Sequence, residues 1–188
     1  MNKAIFVDKD GTLVEDIPYN VDPGMIRLTH RVIEGLKKLR KQGFMIIVVS
    51  NQSGIARGYF KTIALEKVEM KIQKMMRPSE VRIDAFYFCP HHPEGVVDEY
   101  AIDCECRKPK PGMLLKAAEK HNIDLSRSWM IGDILNDIEA GNAAGCKSIL
   151  IDNGNETEWR MSEQRKPAAI VRDLGEAAEV IIHELEPA

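Results

Sequence analysis

No run of apolar residues in this 188-residue chain approaches the roughly 18–20 needed for a membrane-spanning helix. The start, MNKAIFVD, has a short apolar stretch closed by Asp8, Lys9 and Asp10, which is neither a secretory leader nor a transit peptide. A cytoplasmic protein without a membrane partner is therefore expected. An excess of positive charge is lacking as well: Lys and Arg number 26 against 29 Asp and Glu, for a formal net charge of −3. Without a basic stripe, nucleic acid is not an expected partner. Internal repeats and low-complexity tracts are absent, and a composition 44% hydrophobic and 29% charged argues against disorder. Cysteine is scarce, with four residues, Cys89, Cys104, Cys106 and Cys146. In a reducing compartment these are metal ligands or core residues before they are disulfides.

What is present is a set of apolar runs of strand length: 4–7, 44–49, 85–88, 128–131 and 148–151. Helical stripes lie among them. Val32, Ile33, Leu36 and Leu39 share one face of a helix closed by Gly43, and Leu65, Val68, Ile72 and Met75 share another. Pro111 suits the first position of a helix carrying Leu114, Leu115 and Ala118, and Leu174, Ala177, Ile181 and Leu185 form a final stripe. Continuous apolar strands alternating with helices predict an α/β fold, a doubly wound and mainly parallel sheet covered on both faces, in a single domain over 1–188. Ligands of such sheets bind beyond the carboxyl ends of the strands.

Three of those ends carry polar residues. The first delivers Asp8 and Asp10, followed by Gly11 and Thr12. An Asp-Gly turn accounts for the residue types, but residues two apart on extended chain point the same way, so both carboxylates can face one ligand. The second delivers Ser50 and Asn51 before QSGIARG, where a hydroxyl and a glycine-containing loop can surround a phosphate or simply cap a helix. The fourth run leads to Gly132, Asp133 and Asp137. Helix capping explains Asp137 but not why Asp133 takes the same topological position as Asp8. Carboxylates converging on one sheet edge call for a cation, and hard oxygen ligands suit magnesium.

A further cluster lies between the third strand and Pro111. Cys89 and His91 form one close pair and Cys104 and Cys106 another, an arrangement suited to tetrahedral zinc in a loop of about 89–109. Such an ion is structural and ties down the loop bearing Arg107 and Lys108. Cys146 stands apart and reads as a small core residue.

DKDGT, Ser50, Lys108 in RKPKPGM, and GDILND, in that order, resemble the haloacid dehalogenase superfamily of phosphohydrolases. The resemblance implies that Asp8 is the nucleophile and forms an aspartyl-phosphate, and that Asp10 is general acid and base. It implies magnesium on Asp8, the backbone carbonyl of Asp10, and Asp133, with Ser50 and Lys108 holding the transferring oxygens and Asp137 orienting Lys108. The CPHH segment with CxC and SNQSGIARG resembles the branch holding heptose-bisphosphate and histidinol-phosphate phosphatases, and its CxH pattern favours His91 over His92 as the ligand. By the same resemblance, Asn51, Arg57 and Arg107 are candidates for substrate contact. The expectation is hydrolysis of the 7-phosphate of a small sugar phosphate, D-glycero-D-manno-heptose 1,7-bisphosphate, by a monomer. Histidinol phosphate, or a non-catalytic zinc-stabilised binding protein on the same fold, is the alternative. Residues 14–27 are expected to be a short flap, with no large cap domain, and 153–188 carry no recognisable motif.

Overall fold

The computed structural model describes residues 1–186, so the last two positions of the expected unit lie outside the described residues. The strands are β1 (Lys3–Val7), β2 (Phe44–Asn51), β3 (Ala85–Cys89), β4 (Trp129–Gly132), β5 (Lys147–Ile151) and β6 (Ala169–Val171). The helices are α1 (Val32–Lys41), α2 (Ile63–Met76), α3 (Gly112–His121), α4 (Leu135–Ala144) and α5 (Leu174–Leu185). All neighbouring strands pair in parallel, in the order β3-β2-β1-β4-β5-β6.

The continuous apolar runs are explained by burial on both faces. Alternate residues of the central strands, including Ile5, Val7, Ile46, Val48 and Ile131, pack with α1, α2 and α5. The intervening ones, Ala4, Phe6, Ile47, Val49 and Met130, pack with Met113, Leu114 and Ala117 of α3 and Ala140 and Ala144 of α4. Edge strands β3 and β6 are only partly buried, as an edge requires. On the first face α1 approaches α5 closely: a Cβ on Gly35 would stand 2.4 Å from the carbonyl oxygen of Leu174.

Several expectations shift in detail. The sixth strand was not legible, since Ala169–Val171 is short and its middle residue, Ile170, faces solvent. Leu115 is 47% exposed although Leu114 is buried. Consecutive helical positions are about 100° apart, so both could not face the sheet. Met76 takes the fully buried place expected of Met75, Leu185 is exposed, and Pro111 precedes α3 as its cap residue. No large cap interrupts the described residues. The connection 8–31 folds back through an antiparallel bridge between Val14 and Leu28, making the short flap. Among the described residues, no helix is long and apolar enough to cross a membrane.

Candidate active site

The sheet order reverses between β1 and β4, whose following connections leave in opposite directions and open a crevice at their carboxyl ends. Asp8 and Asp133 immediately follow these two strands, Ser50 closes β2, and Asp137 sits on the first turn of α4. The loop 90–111 brings Lys108 to the same place. A cavity of about 210 Å³ is lined by Asp8, Asp10, Ser50, Lys108, Asp133 and Asp137, among others. It continues beneath the flap into a groove of about 280 Å³ that reaches Tyr19 and Asn20.

Lys108 is buried at the centre. Its Nζ lies 2.5 Å from Asp8 Oδ1 and 2.6 Å from Asp137 Oδ1, and donates to the carbonyl of Val49 at 3.0 Å. The contact with Asp137 is a short buried ion pair. Burial alone would lower the lysine's pKa, but Asp137 and Asp8 outweigh it and the ammonium is held charged. Asn51 fixes the loop that carries this lysine: its amide donates to Lys108 O and accepts from Lys108 N, both at 3.0 Å. Asn51 thus borders the cavity with its amide already engaged.

The acids are under-neutralised. Asp8, Asp133 and Asp137 each bring a carboxylate oxygen within 4.8 Å of the others. Burial pushes Asp133 up to about 8, reinforced by Asp8 and Asp137, and burial pushes Asp8 up to about 6 despite Lys108. Asp133 has no cation beside it among the described residues; Thr12 Oγ1 donates to its Oδ1 at 3.1 Å and Asn155 Nδ2 to its Oδ2 at 2.6 Å. A divalent cation would relieve this charge, so the residues fit magnesium. The Asp10 turn wraps tightly here: Gly11 has φ +86°, and a Cβ there would stand 2.0 Å from Asp133 Oδ2.

Asp10 is also raised, by burial first, against the opposing charge of Lys9. Lys9 Nζ lies 2.6 Å from Asp10 Oδ1, while Gln52 Nε2 donates to Asp10 Oδ2 at 3.0 Å and to Ser50 Oγ at 2.7 Å. Because Ser50 Oγ accepts from Gln52, its own hydrogen is free for a ligand. Gln52 and Asn155 were missed by sequence reasoning. The two-residue spacing of Ser50 and Gln52 on extended chain was an available signal, whereas nothing in the sequence marks Asn155.

The second cluster is assembled as expected. Cys89 Sγ, His91 Nδ1, Cys104 Sγ and Cys106 Sγ are separated by 3.1–3.6 Å in the pairs that touch. Zinc–sulfur bonds of about 2.3 Å imply tetrahedral edges of about 3.8 Å, so the ligand atoms already approximate the polyhedron of a bound metal ion. Burial raises the Cys89 thiol, a cost that a bound cation would reverse. Cys146 is buried in the core. Arg57 and Arg107 do not line the cavity but flank His92: Arg57 Nη2 is 3.4 Å from His92 Nε2, and Arg107 Nη1 donates to His91 O at 3.3 Å. Burial and then these two arginines lower the His92 pKa, and Arg57 Nε is buried without a hydrogen-bond partner among the described residues.

Comparison with known proteins agrees with this geometry. Residues 105–177 match the HAD-hydrolase-like family. A Haemophilus influenzae protein named D-glycero-beta-D-manno-heptose-1,7-bisphosphate 7-phosphatase is 43% identical, over 82% of this chain and 84% of its own. Its Escherichia coli K12 namesake is 37% identical, over 88% and 96%. Among solved structures, a HAD-like protein of Mesorhizobium loti has a TM-score of 0.85 at 34% identity, covering 100% of this chain and 88% of that one. The D,D-heptose 1,7-bisphosphate phosphatase of B. bronchiseptica, complexed with magnesium and phosphate, has a TM-score of 0.83 at 29% identity, over 97% and 99%.

Proposed function

The chain belongs to the heptose-1,7-bisphosphate 7-phosphatase family of HAD-like phosphatases and is a phosphoric monoester hydrolase; from that premise we propose that it removes the 7-phosphate of D-glycero-D-manno-heptose 1,7-bisphosphate. The observation that carries this reading is the convergence of Asp8, Lys108 and Asp10 on one cavity. Asp8 attacks phosphorus as the bond to the sugar oxygen breaks, forming an aspartyl-phosphate. Asp10, its pKa raised by burial, gives its proton to the departing oxygen. The resulting Asp10 carboxylate takes a proton from water, which attacks phosphorus and frees inorganic phosphate and Asp8.

Lys108 holds the transferring oxygens as a point charge, and Ser50 donates the hydrogen that Gln52 leaves free. Asp8, the carbonyl of Asp10 and Asp133 would hold magnesium, which would supply the positive charge that screens carboxylate from phosphate. Asp137 positions Lys108. Zinc on Cys89, His91, Cys104 and Cys106 braces the loop that supplies Arg107 and Lys108. The non-reacting phosphate is read by Arg57 and Arg107, which flank His92 and pair with no carboxylate among the described residues. The product would serve ADP-heptose and lipopolysaccharide core synthesis in the cytoplasm.

The test is a comparison of phosphate release from heptose 1,7-bisphosphate and histidinol phosphate, with phosphorus NMR to identify the ester cleaved. Loss of the 7-phosphate, and a fall of at least about 10³-fold in Asp8→Asn, are expected. A preference for histidinol phosphate overturns the substrate, and an Asp8→Asn variant with unchanged turnover overturns the mechanism.

A further inference from the structure

The connection 152–168 between β5 and β6 carries no motif, yet it touches the magnesium-binding edge at three points. Asn153 Nδ2 donates to Gly11 O at 2.7 Å, in the turn that follows Asp10. Asn155 Nδ2 donates to Asp133 Oδ2 at 2.6 Å. Glu156 Oε2 accepts from Leu135 N at 2.7 Å, at the start of the helix that bears Asp137. Asn155 is thus anchored on both sides, and its own N–H donates to Asn153 Oδ1 at 3.1 Å.

From this arrangement we infer that Asn155 is a positioning residue whose side-chain amide sets the orientation of the Asp133 carboxylate for a divalent cation. Asp133 is gripped from two sides, by Thr12 on Oδ1 and Asn155 on Oδ2. Both donors are neutral. They fix the rotamer without cancelling the charge, and each oxygen keeps a second lone-pair site for the ion. A lysine or arginine at the same place would compete with the metal, as Lys108 does for the charge of Asp8 and Asp137. Partners behind a ligating carboxylate typically govern metal affinity by about 10–100-fold.

The inference rests on the magnesium-dependent reading above, and a magnesium titration of the magnesium-free, zinc-retaining chain, followed by calorimetry without substrate, separates the two. Asn155 lies on an exposed loop, so truncation opens no core. In Asn155→Ala the magnesium Kd rises about 10–100-fold, while turnover recovers at saturating magnesium and KM for the phosphate ester stays within about threefold. Glu158→Ala, an exposed substitution on the same connection whose carboxylate meets Arg160 and not the Asp133 edge, keeps its magnesium Kd within about threefold of the unmodified chain. An Asn155→Ala Kd close to that of the unmodified chain overturns the inference alone, as does an equal loss in Glu158→Ala. An unmodified chain that binds no magnesium overturns both the inference and the metal-dependent reading.

Discussion

Lys108 shows how one side chain can be both a structural and a chemical necessity. It is the only cation beside two buried acids, Asp8 and Asp137, among the described residues. Removing one member of such a group leaves uncompensated charge in the interior, at a cost of about 3–5 kcal/mol. Lys108→Met is therefore expected to lose that much unfolding free energy at pH 8 and to unfold at a lower urea concentration. The deficit shrinks at pH 5, where Asp8, raised to about 6 by burial, takes up a proton and leaves less uncompensated charge. Loss of a positioned donor to the phosphoryl group also lowers kcat by on the order of 10²–10³. Urea titrations at the two pH values check the first expectation, and equal deficits at both would contradict it.

Among the connecting elements, the loop 90–111 does most to complete the site, because Lys108 stands only two residues from Cys106. Its path is set at Cys89, at the end of β3, and by the Asn51 clamp on the Lys108 backbone. One zinc per chain is expected by elemental analysis, and none in the doubly substituted Cys104→Ser, Cys106→Ser chain. Hydrogen exchange in that variant should rise across 90–111 and not in the central strands, with phosphatase activity reduced by about 10-fold or more. Protection in the loop that survives loss of the ligands would show that Asn51 and the surrounding packing suffice. The flap and the β5–β6 connection make contacts of their own. Tyr19 of the flap meets Tyr59 edge to face at 4.8 Å, and Asn155 reaches Asp133.

For the molecule as a whole, the parallel sheet concentrates negative charge at one edge, and this couples stability to pH. Asp8 and Asp133 have folded pKa values raised to about 6 and about 8, from an ordinary 3.8. Between the unfolded and folded values the native chain binds more protons than the unfolded one, so these groups make the metal-free protein less stable as pH rises from about 4 to 8. A divalent cation held by the deprotonated acids would offset that loss. The increase in Tm on adding magnesium is therefore expected to be larger at pH 8 than at pH 5.5. A magnesium shift that does not vary between those values would show that the acids are already ionised without the cation.

Much of this was legible in the sequence for local reasons. Apolar runs of strand length between helical stripes specify a parallel sheet covered on both faces, and polar residues at the strand ends mark its reactive edge. CxH and CxC bring candidate metal ligands into short pairs, so that cluster too is written in spacing. The features that escaped depend on contacts between segments remote in sequence. A three-residue edge strand, Ala169–Val171, acquires its identity only by pairing with β5. Gln52 bridges Ser50 and Asp10, Asn51 turns to the Lys108 backbone, and Asn155 meets Asp133 from 22 residues away. A lone amide carries no periodicity and no charge, so its partner is chosen only when the folded chain brings a carboxylate or a peptide group within reach. The chemistry was written in residue types and intervals, whereas the orientation of each reacting group was decided by the tertiary structure.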